Sequence, residues 1–109
     1  MQALTKEQIT KLPAGDVQLT GIEWRHDMDL VLTLVLPGQK RAHLTATFAH
    51  HLHVSLEFEE RSGGNPLTWD TTYSELPDGG WRVLMDFAGT GAVEFDCAEL
   101  HFEYDTNDA

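Results

Sequence analysis

The stretch LVLTLVLPGQKRAHLTATF, residues 30–48, decides the fold class. Leu30, Leu32, Leu34 and Leu36 fall on one parity, Val31, Thr33 and Val35 on the other. Both faces of this run are apolar, which marks a central strand covered on both sides. Pro37-Gly38-Gln39-Lys40 is a turn, because proline presets one dihedral and glycine accepts the left-handed one. Ala42, Leu44, Ala46 and Phe48 then share one face, and His43, Thr45 and Thr47 the other. Two runs of period two around a Pro-Gly turn are the signature of antiparallel strands.

The same period continues in both directions. Leu52, Val54, Leu56 and Phe58 alternate with His51, His53, Ser55 and Glu57. A tight turn through Ala49-His50-His51 pairs Phe48 with Leu52 and sets His43 opposite Glu57. Residues 61–66 read as a loop, and Leu67, Trp69, Thr71 and Tyr73 as a less apolar edge strand. Pro77-Asp78-Gly79-Gly80 is a hairpin signal, followed by Trp81, Val83, Met85 and Phe87 on one parity. Val93, Phe95 and Cys97 lead into Leu100, Phe102 and Tyr104, with a parity slip at Ala98-Glu99. Toward the amino terminus, Val17 and Leu19 share a parity that Ile22 and Trp24 break, so a β-bulge is expected at Gly21-Ile22. Thr5-Lys6-Glu7-Gln8 has the shape of a capping box. It opens a short helix over about 5–12 that Pro13 and Gly15 end.

The pattern predicts a mostly β, single domain over 1–109. Its architecture is an antiparallel β-sandwich or small barrel of about seven strands, from 17 to 105, behind a short N-terminal helix. A single curved sheet closed by the helix fits the same pattern. Trp24, Trp69 and Trp81 are the large core candidates.

A chain of 109 residues is the length of one domain, and 41% apolar residues suffice for a core. The single cysteine, Cys97, has no internal disulfide partner and sits on an apolar parity, as a buried thiol. No run approaches the ~18 apolar residues of a membrane span. Met1 to Pro13 lacks the apolar stretch of a secretory signal, so a cytoplasmic protein is expected. Eighteen acidic against seven basic residues give a net charge of −11. No Lys or Arg follows Arg82, whereas seven acids do. That field repels phosphate backbones and anionic lipid, which argues against nucleic-acid and membrane partners and suits a basic protein.

Two constellations carry chemistry. His51 and His53, two apart on a strand, leave one face together with Glu57, and the expected register adds His43. Imidazoles and a carboxylate are ligands for a divalent transition metal. His51-Leu52-His53, Glu57 and Gly64 resemble the first metal motif of the cupin family, and Pro77-Asp78-Gly79 part of the second. The resemblance implies a small barrel with a metal at His51, His53 and Glu57. Arg82 stands where the second motif's metal histidine falls, Asp86 where its asparagine falls, and Thr45 and Thr71 replace the opening glycines. The same histidine face also reads as a solvated strand face. The second constellation is the acidic terminal strand, with Glu94, Asp96, Glu99, Glu103 and Asp105 as a docking face for a basic protein. Bacterial immunity proteins that cap basic toxins are similar in size and charge, without a shared motif. Outer-strand charges also protect an edge from aggregation.

No nucleophile elbow, phosphate cradle or activated thiol is present in the sequence. The expected function is therefore a non-enzymatic binding module for a protein partner. A metal-dependent cupin-like barrel and a homodimerising structural module are the alternatives, and no cofactor other than a divalent transition metal is expected.

Overall fold

The computed structural model describes residues 3–12, 15–25, 28–56, 68–77, 79–87 and 91–105. The chain order is α1 (Lys6–Thr10), β1 (Gln18–Trp24), β2 (Leu30–Leu36), β3 (Lys40–Thr47), β4 (His50–Leu56), β5 (Thr68–Glu75), β6 (Trp81–Phe87), β7 (Gly91–Cys97) and β8 (Glu99–Tyr104). The strands form a β-sandwich of two antiparallel four-stranded sheets, ordered β1-β2-β3-β8 and β4-β7-β6-β5. Two of the segments read as single strands or hairpins are instead passages from one sheet to the other.

The leucine run forms a central strand as its pattern predicts, but its second face is not fully covered: Val31 is buried, whereas Thr33 and Val35 are only half-buried. In β2, Leu30, Leu32, Leu34 and Leu36 face the core, opposite Ala46, Leu44, Ala42 and Lys40 of β3. Small alanines facing large leucines let the second sheet approach closely. That sheet contributes Val83, Met85, Phe87, Val93, Phe95 and Cys97, all buried. α1 caps one end. Thr5 accepts a hydrogen bond from the Gln8 backbone N–H, and the Gln8 side chain accepts one from the Thr5 N–H, which completes the capping box. Five residues make too short a helix to persist alone; buried Ile9 ties it to the core.

β3 does not turn back on β4. β3 pairs with β8, and β4 with β7. The β3–β4 and β7–β8 segments are thus two bent strands that pair along their length and change sheets at one corner. Sandwich corners are made this way, by strands that bend from one sheet into the other. The bend is concentrated at Phe48, whose φ is +48°, and lies opposite Ala98. Ala98 donates its N–H to the Thr47 carbonyl at 2.8 Å, and Ala49 donates to Met28 at 2.8 Å. The β5–β6 turn packs under this corner. Gly80, at φ +90°, lies so close that a Cβ there would collide with the Cys97 carbonyl oxygen.

The N-terminal bulge falls at Thr20, between Leu19 and Gly21, one residue before its expected place. The slip at Ala98 is real, but it is the crossing from β7 to β8. Trp24 is 49% exposed and not a core residue, because β1 is an edge strand and its end has little opposite it. Trp81 packs half-buried against the core, and the side chain of Trp69 lies outside the described residues. Among the described residues, no helix is long and apolar enough to cross a membrane.

Candidate functional site at the strand-crossing corner

The corner places its chemistry through a second irregularity, in β4. His50 lies opposite Asp96 and His53 opposite Glu94, so His51 and Leu52 together oppose Phe95. Two residues against one is a β-bulge, and His51 takes its left-handed position at φ +54°. In a regular strand, neighbours such as His50 and His51 point to opposite faces. Here the bulge brings both rings to one side, with centroids 4.8 Å apart at 63°.

Asp96 anchors the group. It belongs to the cross-strand row Ser74, Arg82, Asp96 and His50, which spans all four strands of the sheet. Arg82 clamps its carboxylate with two hydrogen bonds, Nε to Oδ1 at 2.8 Å and Nη2 to Oδ2 at 3.1 Å. His51 Nδ1 adds a third contact, to Oδ2 at 3.0 Å. The Asp96 side chain is only 4% exposed. The Arg82 hydrogen bonds first, then the His51 bond, hold its carboxyl well below the usual carboxylate range, against the opposing effect of burial. The same contact raises Arg82 further above its ordinary value.

These partners fix both imidazole tautomers. A carboxylate held ionised only accepts, so His51 Nδ1 carries the proton. His50 Nδ1 lies 2.9 Å from the Phe48 carbonyl oxygen, which also only accepts. In their neutral forms both rings therefore present a bare Nε2. The His51 side chain is 73% exposed, so that nitrogen has access to solvent.

The residues expected from sequence are redistributed. His43 is on β3, between Thr33 and Glu103, in the other sheet from His51. The expected hairpin that set it beside Glu57 does not exist, because β4 pairs with β7. His53 opposes Glu94 and stays outside the cluster; Glu57 lies outside the described residues. The acidic strand does not form one face. Glu94 is on the sheet containing β7, whereas exposed Glu99 and Glu103 are on β8 in the other, and Asp105 follows it. Asp96 is buried and paired, so it is an anchor and not a docking charge. Alternation assigns His50 the face opposite His51, so the sequence pattern leaves it out of the cluster; only the bulge recruits it.

Beside the histidines, the corner is apolar. Phe48 is 65% exposed and Met28 45%, and both have left-handed backbones. With His50, Leu76 and Ala98 they line a hollow of about 310 Å³. Cys97 closes the floor; burial, then the Asp96 charge, push its thiol up to about 12, so it is inert as a nucleophile. No protein-family model, curated protein or solved structure matches this chain.

Proposed function

We propose that the domain is a non-enzymatic binding module that docks a basic protein at the strand-crossing corner. The observation that carries this reading is Phe48. A large aromatic stands 65% exposed at the lip of a hollow, on a backbone held at φ +48°. Left-handed geometry costs an ordinary residue roughly 1–2 kcal/mol, and an exposed ring recovers little of it within the domain. A partner that covers the ring recovers it. Interfaces place such aromatic anchors centrally, within a polar rim. The rim carries the acids Asp29, beside Met28, and Glu99, opposite Thr47, and, among the described residues, the one cation of the same turn, Arg25, is paired with Glu23. A net charge of −11 favours a cationic partner and speeds its approach.

A photo-crosslinking amino acid at position 48, in cells that naturally make the protein, tests this reading, with position 72 on an exposed outer face as the control. The expected result is a discrete adduct from position 48 alone, to a protein of net positive charge; in lysate the same adduct fails to form when about 1 M salt, where the Debye length is about 3 Å, is present before irradiation. Equal labelling from both positions, no adduct, or an adduct only to a second copy of this chain refutes the proposal.

A further inference from the structure

We infer that His50 and His51 form a binding site for a divalent transition cation, with Asp96 as its supporting carboxylate. This inference is independent of the docking reading. His50, His51 and Asp96 each offer a donor atom, and the three donors lie within 4.8 Å of one another. The bulge accounts for this proximity, because without it the two rings leave opposite faces. Re-aiming a side chain in this way is a recurrent use of bulges.

The surroundings of the rings match those of metal ligands. A ligating imidazole characteristically donates its other N–H to a carboxylate or a backbone carbonyl, which fixes the ring and raises its basicity. His51 has the carboxylate and His50 the carbonyl. Both free nitrogens are bare when neutral and need no proton removed before binding. Two imidazoles select zinc, copper or nickel over calcium and magnesium, which require oxygen ligands. Water completes the coordination, since both rings are exposed.

Arg82 makes the site adjustable. It occupies both oxygens of Asp96 and so competes for the carboxylate. With Arg82 in place, Asp96 orients His51 from behind. Without it, the uncompensated charge of Asp96 raises the basicity of His51 and attracts the cation more strongly. The sequence motif would instead use His51 with His53 and Glu57, and the two ligand sets are separable.

Zinc titration of the untagged full chain by calorimetry, with imidazole nitrogen shifts followed by NMR, decides between them. The expected result is one zinc per chain, undisturbed by excess calcium, with shifts at His50 and His51. Both His50→Gln and His51→Gln weaken binding by at least about tenfold, the scale on which metal sites respond to a lost group. His53→Gln leaves the affinity unchanged, and Arg82→Gln strengthens it. The two histidines are exposed, so their variants fold, which far-UV circular dichroism verifies. Loss of binding in His53→Gln with retention in His50→Gln overturns the assignment. So does zinc that calcium displaces, since that zinc is held by the acidic surface alone, and so does the absence of binding.

Discussion

At the scale of single residues, Asp96 has the most consequences. It is a carboxylate on the outward face of an inner strand, and the fold buries it beneath Arg82 and His51. Hydrogen bonds to charged groups contribute roughly 1.5–3 kcal/mol, so Asp96→Asn should cost about 2 kcal/mol at pH 7. The pH dependence has a definite sign. The folded carboxyl titrates well below its unfolded value, so the unfolded chain takes up the proton first as pH falls. The stabilisation is complete above the unfolded Asp pKa of about 3.9 and shrinks below it. Urea midpoints of the two proteins should therefore lie apart at pH 7 and draw closer as the pH falls below about 3.9, the gap closing only as the folded carboxyl itself takes up its proton. A gap of constant width would show that the charge of Asp96 contributes nothing. The burial of this residue was not legible in the sequence. Alternation puts it on the outward face, and only the cross-strand register with Arg82 reveals its clamp.

At the scale of elements, the corner separates what sequence shows from what it hides. The leucine strand, the Pro-Gly turn, the capping box and the hairpin at Gly79-Gly80 all announce themselves, because each is a local pattern with a local cause. The crossing does not. A parity slip such as that at Ala98 is produced equally by a bulge within a strand and by a bend into another sheet, since each shifts the alternation by one residue. At Phe48 the signal is misleading, because no glycine marks the left-handed position. The same corner makes a prediction. In Phe48→Gly the left-handed strain of roughly 1–2 kcal/mol disappears, offset by glycine's entropic cost of about 0.5–1 kcal/mol. Thermal unfolding should thus find the variant as stable as the original or up to about 1.5 kcal/mol more so. A loss of 2 kcal/mol or more would make the ring a structural group and remove the support for docking at the corner.

At the scale of the molecule, charge opposes compactness. Eighteen acidic groups share one small sandwich with seven basic ones. The structure distributes the C-terminal acids over two sheets, which limits their repulsion but does not remove it. Asp70 and Asp86, both exposed, face each other directly across β5 and β6. Like charges so placed are destabilising. Among the described residues, the exposed pairs Lys6–Glu75, Lys11–Glu7 and Arg25–Glu23 act in the other direction, but pairs of that kind contribute only about 0–1 kcal/mol each. Salt screens both effects. Repulsion among many like charges outweighs such exposed attractions, so stability at pH 7 should rise as sodium chloride increases from about 0.01 M to about 0.15 M, where the Debye length contracts from about 30 Å to about 8 Å. Acidification acts on the same term. As pH falls from 7 toward the isoelectric point near 4.7, the net charge shrinks and the salt effect should fade. Below about pH 4 the Asp96 linkage takes over and stability drops. Urea midpoints on a grid of pH and salt would trace a maximum between these regimes, with a positive salt slope only on its alkaline side. A negative slope at pH 7 would mean that the exposed ion pairs dominate the surface, and the acidity would then no longer read as a field held in reserve for a cationic partner.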